Sequence, residues 1–327
     1  MRRRQLLAAV FALLLCNCSG VQSALDPQGP RAAEIATLGW LLFAMGAIVL
    51  LVVVASTWFA MRGPESVRAK LSSERTVHIG GIAFPAIVLT GLLTYGLSLM
   101  RTGMLEASEA EPVRVSVIGE QWWWRVEYLG EDARIPAANE IRMPASRTVE
   151  FSLGASDVIH SFWIPSLGGK VDMIPGRTTT LRLSADRAGV YRGQCAEYCG
   201  GTHALMSLEV RAMPEAEYAA WLRQQAAPAA EPASEEAEAG GALFLASGCG
   251  ACHAVRGTEA AGTIGPDLTH IGSRPSVGID TLPLTEENIA LFIADGQHIK
   301  PGNRMPPFGI FSDAELAALS AYLAGLR

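Results

Sequence analysis

The sequence predicts a multidomain membrane protein that consists of a two-helix transmembrane hairpin, an all-β domain and a small all-α domain. Three observations predict it: apolar residues are concentrated in the first hundred positions, residues 110–225 contain short alternating segments, and a polar linker precedes a helical C-terminal segment. The chain has 327 residues, enough for two to three domains; half are hydrophobic and only 18% are charged. The mean hydropathy is positive, which favours attachment to a membrane.

The charge balance argues against one class of partner. The chain carries 26 Lys and Arg against 32 Asp and Glu, a formal net charge of −6, and the cations are scattered along it. Nucleic acids bind to clustered cations that neutralise their phosphates. We therefore expect no nucleic-acid partner.

The N-terminus has the pattern of a secretory signal peptide, which we assign to residues 1–18. Three arginines precede an apolar run at residues 6–15, which is shorter than the roughly 20 residues that a membrane span needs. A cysteine directly after such a run can receive a lipid once the signal is cleaved, and Cys18 is the candidate. The alternative is that Cys16 and Cys18 both leave with the signal.

Two longer apolar segments, residues 35–61 and 77–100, are predicted transmembrane helices and contain no Asp, Glu, Lys or Arg. At 1.5 Å per residue the shorter one is about 36 Å long, which suffices to cross a bilayer. The loop between them carries more basic than acidic residues, and such an excess places a loop on the cytoplasmic side. Both ends of the hairpin, and the domains that follow, are therefore expected on the outer face.

Residues 110–225 are predicted to form an all-β domain. Apolar and polar residues alternate at 113–117, 180–183 and 206–211, and turn-forming residues separate these segments. Short alternating segments with frequent turns are typical of a β-sandwich or barrel.

A cluster of sulfur and nitrogen donors lies in this domain. Cys195, Cys199, His203 and Met206 fall within twelve residues, and His160 precedes them. Thiolate, imidazole and thioether together are a donor set for copper, because soft sulfur ligands favour it. Two thiolates can bridge two copper ions and so spread one unpaired electron over both. A disulfide is the alternative in an oxidising compartment, but the histidines and the methionine favour a metal.

Residues 226–239, mainly Ala, Pro and Glu, are predicted to be a solvated linker with a reach of about 20 Å. The linker tethers residues 240–327 close to the β domain. This last segment contains C-x-x-C-H at Cys249, Cys252 and His253, the attachment pattern of c-type haem. The alternatives are a thioredoxin-like dithiol, for which no βαβ pattern is present, and half of a zinc site, for which no second C-x-x-C is present.

The sixth ligand of the haem iron is expected downstream of the attachment motif. Met305, in a loop rich in Pro and Gly, is the candidate, and His270 and His298 are the alternatives. The last helix is predicted to begin at a capping box formed by Ser312 and Glu315. Its apolar stripe consists of Leu316, Leu319, Tyr322 and Leu323.

Three motifs resemble subunit 2 of haem-copper cytochrome c oxidases: Gln121-Trp122-Trp123-Trp124, the segment 157–165 and the loop 195–206. The resemblance covers roughly residues 20–225 and implies a cupredoxin (Greek-key) domain with the dinuclear copper centre CuA. The copper ligands that it implies are His160, Cys195, Cys199, His203, Met206 and the main-chain carbonyl of Glu197.

The same resemblance implies roles for three further side chains. The Glu197 carboxylate would bind a magnesium or manganese ion at the contact with subunit 1. Trp122 matches the aromatic residue through which the family admits electrons from cytochrome c. His78 stands where the family often has a glutamate at the mouth of a proton channel, and a titratable imidazole there is a hypothesis for proton entry.

Residues 240–327 resemble an all-α class I cytochrome c, and the fusion resembles the caa-type oxidases. The implied function is that of subunit 2 of a respiratory cytochrome c oxidase in a bacterial plasma membrane, with its copper and haem domains on the outer face. Electrons from cytochrome c or another periplasmic donor would enter at the haem, pass to the copper and leave for the haem of subunit 1. There oxygen is reduced and protons are translocated. No residue of this chain is expected to act as an acid, base or nucleophile.

Three alternatives remain at this stage. A quinol oxidase subunit would lack the copper ligands. A membrane-tethered electron shuttle that feeds another terminal reductase would need only one anchor helix. A copper-storage or delivery protein would have no use for an attached cytochrome.

Overall fold

Residues 19–105, 111–130 and 133–327 are described by the structure, a computed structural model. The predicted signal peptide, with Cys18, lies outside the described residues. The chain divides into two units, of which residues 31–109 form one.

This smaller unit is helical. Its helices are α1 (Pro30–Arg62), α2 (Glu65–Leu71), α3 (Glu74–His78), a π-helical turn (Ile79–Ala83) and α4 (Phe84–Leu105). Two stretches, Pro30–Arg62 and Glu74–Arg101, are long and apolar enough to cross a membrane. Both extend beyond the predicted spans 35–61 and 77–100, because the flanking polar residues continue the helix. Large apolar side chains such as Leu51 and Ile87 are exposed along them, as expected of helices that lipid covers.

The π-helical turn has a local cause. It ends just before Phe84-Pro85, and a proline in a helix lacks an N–H and crowds the carbonyl four residues earlier. Widening of the preceding turn relieves this conflict, and the two adjacent glycines, Gly80 and Gly81, leave room for it.

The β domain is a sandwich of two five-stranded sheets, ordered β3-β2-β1-β5-β8 and β4-β10-β9-β6-β7. Its strands are β1 (Val113–Glu120), β2 (Trp123–Leu129), β3 (Arg134–Ala138), β4 (Glu140–Pro144), β5 (Val149–Ala155), β6 (His160–Trp163), β7 (Val171–Met173), β8 (Thr179–Leu183), β9 (Gly189–Cys195) and β10 (Ser207–Met213). Strands β1 and β5 pair in parallel, as do β4 and β10, while the other pairs are antiparallel. Such crossovers between non-consecutive strands give the Greek-key sandwich that the sequence predicts.

The core of the sandwich is aromatic and closed. Trp124, Phe151 and Phe162 are fully buried, and the Phe162 ring lies 5.8 Å from Trp124 and 5.3 Å from Phe151. The Trp124 indole N–H donates to the Ser207 carbonyl at 2.8 Å, so its polar atom is satisfied inside the core. Helix α5 (Glu215–Ala226) closes one side of this domain.

The segment directly after the predicted signal peptide belongs to the same unit as the sandwich. The Gln28 N–H donates to the Ser166 carbonyl at 2.7 Å, and Arg192 donates its N–H to the Val21 carbonyl at 2.8 Å. Backbone bonds of this kind fix residues 19–29 along the sandwich.

The C-terminal domain is mainly helical. Its elements are α6 (Glu235–Ala246), α7 (Glu286–Ile299), α8 (Asp313–Gly325), two 3₁₀ turns (Cys249–Ala251 and Ile271–Ser273) and a short hairpin of β11 (Ser276–Val277) and β12 (Leu282–Pro283). Helices α6 and α8 cross at Gly240, where an added Cβ would collide with the Ala318 carbonyl. The glycine therefore permits the close crossing, and the rings of Phe244 and Tyr322 pack beside it at 5.8 Å. The predicted fold class is confirmed in all three parts.

The linker differs from its prediction. Helix α6 begins at Glu235, inside the predicted linker 226–239, because Ser234 caps it by accepting a hydrogen bond from the Ala237 N–H. Upstream, the Ala229 N–H donates to the Arg256 carbonyl at 2.8 Å, and the Arg256 guanidinium donates to the Ala227 carbonyl. The segment is thus bound to the C-terminal domain rather than freely solvated.

Candidate metal centre and haem-binding site

The donor cluster of the β domain assembles at one end of the sandwich. His160 begins β6 and Cys195 ends β9, whereas Cys199 and His203 lie in the loop that leads to β10. Met206 directly precedes β10. Because β6 and β9 are hydrogen-bonded neighbours, donors that are 35 residues apart in sequence come together.

The distances within the cluster are short. Sγ of Cys195 lies 3.7 Å from Sγ of Cys199 and 3.8 Å from Nδ1 of His160. On the other side, Sγ of Cys199 lies 3.4 Å from Nδ1 of His203 and 3.9 Å from Sδ of Met206. Ligand atoms of His160, Cys195 and Cys199 all lie within 4.8 Å of one another, and all three residues are buried.

The two cysteines form a thiol pair. Their separation far exceeds a disulfide bond of about 2 Å, and both are free. A hydrogen bond from the Cys199 thiol, together with one from His160, lowers the pKa of Cys195 well below its usual range despite its burial. The same hydrogen bond, with burial, raises the pKa of Cys199. A bound cation ionises thiols that coordinate it, so the pair suits a metal.

His160 is oriented by the Asp157 carboxylate, three residues earlier in the chain. Asp157 Oδ1 lies 2.9 Å from His160 Nε2, which leaves Nδ1 directed at the thiols. Burial opposes ionisation of Asp157, but hydrogen bonds from His160 and from the backbone N–H groups of Gln121 and Val158 lower its pKa. Burial lowers the pKa of His160, yet its bonds to Cys195 and Asp157 raise it overall. In the sequence, this partner of His160 is visible only as an acidic residue three positions before the histidine.

Glu197 presents two different groups. Its main-chain carbonyl oxygen lies 3.2 Å from Sγ of Cys195, inside the donor cluster. Its carboxylate lies 4.0 Å from Nζ of Lys170, with 45% of the side chain exposed. The carbonyl is thus placed for the ligand role that the resemblance implies, while the carboxylate is directed to the surface.

The haem-attachment motif lines a cavity of about 400 Å³. Cys249 lies at its wall at the start of the 3₁₀ turn after α6, and Cys252 and His253, which also line it, directly follow that turn. The cavity is otherwise mostly apolar, and its walls include Phe244, Leu268, Ile293, Leu319 and Leu323. A pocket with apolar walls beside paired thiols and an imidazole suits a covalently held porphyrin.

The His253 imidazole is held in one orientation beside the cavity. Its Nδ1 lies 2.8 Å from the Pro266 carbonyl oxygen, which fixes the tautomer with a proton on Nδ1 and leaves Nε2 available to a metal. Burial lowers the pKa of this imidazole, so the neutral, ligating form is favoured. An added Cβ at Gly265 would lie 2.5 Å from the ring, which shows how tightly the ring is held.

The three candidates for the sixth iron ligand lie in different surroundings. Met305 lines the cavity together with His253, and its N–H donates to Asn303 Oδ1 at 2.9 Å. His270 is buried and its Nε2 lies 3.1 Å from the Ala227 carbonyl. His298 has 92% of its side chain exposed and pairs with Asp295 at 3.3 Å. Of the three, only Met305 is among the residues that line this cavity.

Trp122 connects the two sites. Its ring lies beside the haem cavity, and its indole N–H donates to the Cys199 carbonyl at 3.1 Å. The amide of Gln121 donates to the same carbonyl at 2.7 Å. On the other face, the Trp122 ring packs against Gly302 of the C-terminal domain, where an added Cβ would lie 3.1 Å away. The sequence did not reveal that one tryptophan contacts both domains.

The remaining candidate lies in the helical unit. His78 ends α3, and its Nδ1 lies 2.7 Å from the Glu74 carbonyl oxygen. The imidazole is exposed.

Two apolar helices, a buried thiol–imidazole cluster and a haem-attachment motif at a cavity together define a membrane-anchored electron-transfer protein. Comparisons with known proteins identify the class further. The family model described as the periplasmic domain of cytochrome c oxidase subunit II matches residues 129–213, and the cytochrome c model matches residues 237–327. The chain belongs to the cytochrome c oxidase subunit 2 family.

Similar proteins match over almost the whole chain. Cytochrome c oxidase subunit 2 of Alkalihalophilus pseudofirmus is 34% identical, and the match covers 97% of this chain and 95% of that protein. The subunit 2 of Bacillus subtilis is 32% identical, and the match covers 98% of this chain and 97% of that protein.

A solved structure matches one domain of the chain. It is that of the periplasmic domain of subunit II of the cytochrome oxidase of Bradyrhizobium japonicum, and it is 27% identical. The match covers 37% of this chain and 96% of the solved chain, with a TM-score of 0.34. The two matched domains imply copper in the sandwich and haem in the C-terminal domain.

Proposed function

We propose that this protein is the electron-input subunit of a bacterial cytochrome c oxidase. Electrons enter at a haem held by the C-terminal domain, pass to a two-copper centre in the sandwich and leave for a haem in subunit 1, where oxygen is reduced and protons are translocated. The observation that carries this proposal is the position of Trp122, which borders the haem cavity and donates a hydrogen bond to the copper loop. Two redox sites that share one wall are suited to direct electron transfer.

The donor geometry supports two copper ions rather than one. Each thiol has its own imidazole neighbour, Cys195 with His160 and Cys199 with His203. Each thiol also has one weaker donor, the Glu197 carbonyl for Cys195 and the Met206 thioether for Cys199. A single four-coordinate ion would leave two of these six donors unused.

The chain contributes rigidity to this centre. His160, Cys195, Cys199 and Met206 are each at most 4% exposed, and two of the strands that hold them pair directly. Bound copper and bound haem supply the one-electron chemistry. Close packing around the donors keeps their positions nearly fixed in both oxidation states, which lowers the reorganisation that electron transfer requires.

In the C-terminal domain we assign Cys249 and Cys252 to covalent haem attachment. His253, through Nε2, and Met305, through its thioether, would be the two iron ligands that the chain supplies. Thioether ligation raises the reduction potential of a haem. The surrounding apolar walls exclude water, which acts in the same direction.

We assign Trp122 to the path between the two sites. Its contact with Gly302 places it under the C-terminal domain, so a separate cytochrome c meets the fused haem domain before it meets this ring. The external donor, cytochrome c or another periplasmic protein, would accordingly deliver its electron to the haem.

The partner and the membrane geometry follow from the same proposal. The loops that carry the donors expose Ile159, Tyr198 and Leu205, an apolar surface for subunit 1, and the Glu197 carboxylate would bind magnesium or manganese there. The helical hairpin lies in the lipid of the bacterial plasma membrane with the copper and haem domains on its outer face. Lipid attachment at Cys18 and proton entry at His78 stay predictions.

The proposal is tested on the complex purified from membranes with its partner subunits. We expect two copper ions and one iron in covalent haem c for each copy of this chain, a mixed-valence two-copper paramagnetic signal, and oxygen uptake with reduced cytochrome c. One copper per chain would contradict the dinuclear assignment. Intact metal sites without associated oxygen uptake would favour a shuttle to another reductase, and copper without haem would favour a delivery protein.

A further inference from the structure

The loop that carries the proposed iron ligand, residues 300–305, also reaches the copper loop. Lys300 is only 3% exposed. Its Nζ donates to the Leu205 carbonyl of the copper loop at 3.3 Å and to the Gly278 carbonyl of its own domain at 3.3 Å. Leu205 directly precedes Met206, so the buried Lys300 amino group holds the backbone next to a copper donor. Burial lowers the pKa of Lys300 to about 7, so the hydrogen bonds of this group, rather than a permanent charge, anchor the loop.

A second cation of the same loop reaches the other side of the copper site. Nη2 of Arg304 lies 3.4 Å from Oδ2 of Asp157, and the other carboxylate oxygen of Asp157 lies 2.9 Å from His160 Nε2. Arg304 directly precedes Met305. A short chain of contacts therefore runs from the proposed haem ligand to a proposed copper ligand.

Two further contacts fix the loop between these cations. The hydroxyl of Thr202, which precedes His203, donates to the Pro301 carbonyl. The Gly302 backbone packs on the Trp122 ring. Three of the residues contacted by the loop, Leu205, Thr202 and Asp157, thus touch or adjoin a copper donor.

The charged side chains around the copper site shift its reduction potential in a predictable direction. A carboxylate that accepts a hydrogen bond from a ligating imidazole strengthens its donation and so favours the oxidised metal. A guanidinium opposite that carboxylate offsets this effect, and the Lys300 amino group adds positive charge beside the copper loop in its protonated form. Both favour the reduced metal, which is the form that results when the copper site accepts an electron.

We propose that Lys300 and Arg304 form a cationic clamp: two positioning residues that dock the haem domain on the copper loop and raise the reduction potential of the copper site while it is docked. The clamp rests on the proposed function for its purpose, but its docking role stands on the contacts alone. Arg304 has 62% of its side chain exposed and Asp157 only 14%. Lys300 therefore anchors the loop, and Arg304 acts mainly through Asp157.

The test uses the full chain with both cofactors bound. The variants are Lys300→Met and Arg304→Met, with Arg304→Lys as the conservative rescue. Asp280→Asn is the matched control, because Asp280 forms another ion pair between the domains, with Arg192 at 3.1 Å, away from the Asp157 chain. The unchanged visible spectrum of the haem shows that each variant is folded.

The first readout is hydrogen–deuterium exchange of the copper loop, residues 199–206. We expect exchange to rise about tenfold in Lys300→Met, as for loss of one charge-assisted hydrogen bond, and less in Arg304→Met. Asp280→Asn should leave this loop unchanged. Exchange at the wild-type level in Lys300→Met, or an equal rise in the control, would overturn the docking role.

The second readout is the reduction potential of the copper site from spectroelectrochemical titration. We expect a lower potential in both clamp variants and recovery in Arg304→Lys. In an Asp157→Asn background, Arg304→Met should cause no further change, because the carboxylate through which it acts is gone. A shift of equal size in that background would refute the path through Asp157. Neither readout uses oxygen, so failure of the clamp and failure of the oxidase assignment are separate results.

Discussion

The copper site and the haem site differ in how much of the surrounding fold exists without the metal. The copper donors lie at one end of a sandwich whose aromatic core, built on Trp124, Phe151 and Phe162, is complete by itself. The haem motif lines a cavity of about 400 Å³ whose walls include core residues of the small C-terminal domain, among them Phe244 and Leu323, and Trp122 of the sandwich. The copper site thus adjoins a core that is complete without metal, whereas at the haem site the cofactor would be part of the core.

The strongest test of this contrast is the double substitution Cys249→Ala, Cys252→Ala. Without covalent haem the apolar walls face water, so we expect the C-terminal domain to lose most of its stability, on the order of several kcal/mol. Haem content is measured by the absorbance of its pyridine complex, and helix loss by circular dichroism.

The sandwich supplies the internal control in that variant. Copper content and the two-copper paramagnetic signal should persist, because the sandwich core does not depend on the haem. A C-terminal domain that stays folded and cooperative without haem would show that the contrast is wrong.

The reciprocal substitution is Cys195→Ser. We expect copper affinity to fall more than about 100-fold, beyond the loss typical when only a hydrogen-bond partner of a ligand is removed. The sandwich should remain folded and the haem spectrum unchanged. Metal analysis and thermal unfolding followed by near-ultraviolet circular dichroism measure the two effects, and an unfolded sandwich would contradict the idea of a finished core.

The iron ligand provides a prediction within the haem site alone. Met305→Leu should keep the covalent haem, remove the spectral band that arises from thioether ligation and lower the haem potential. His298→Ala is the control, since that side chain is 92% exposed. If His298→Ala or His270→Ala removed the band instead, the assignment of Met305 would fail.

The sequence predicted those features that depend on neighbouring residues. Ser312 and Glu315 form the expected capping box, and Leu319, Tyr322 and Leu323 of the predicted stripe are buried. Both patterns involve residues within one or two helical turns, where spacing alone determines which side chains meet. The donors of the copper loop were likewise visible because four of them lie within twelve residues.

The contacts between the sandwich and the C-terminal domain could not be predicted from the sequence. Lys300 and Leu205 are 95 positions apart, and Arg304 and Asp157 are 147 apart. A lysine or arginine in a polar loop is usually solvated, so its type gives no sign of a distant partner. The prediction of a freely solvated linker was wrong for a related reason. Its Ala- and Pro-rich composition does not show that its backbone forms hydrogen bonds with Arg256.

The smallest expected effect concerns the boundary between the two sites. Trp122→Phe keeps an aromatic ring but removes the indole N–H that donates to the Cys199 carbonyl at 3.1 Å. We expect copper and haem contents and potentials to stay near those of the wild type, while the rate of electron transfer from haem to copper falls severalfold, because the hydrogen-bonded link between the indole and the copper loop is lost. Rapid photoreduction of the haem, followed at a copper absorption band, measures this rate. Trp123→Phe is the matched control, because Trp123 also lines the cavity but stacks with the Arg125 guanidinium, 4.7 Å from the ring centroid, rather than donating to the Cys199 carbonyl. Equal rates in both variants would mean that the indole N–H of Trp122 has no special part in the path and that proximity of the docked domains alone sets the rate.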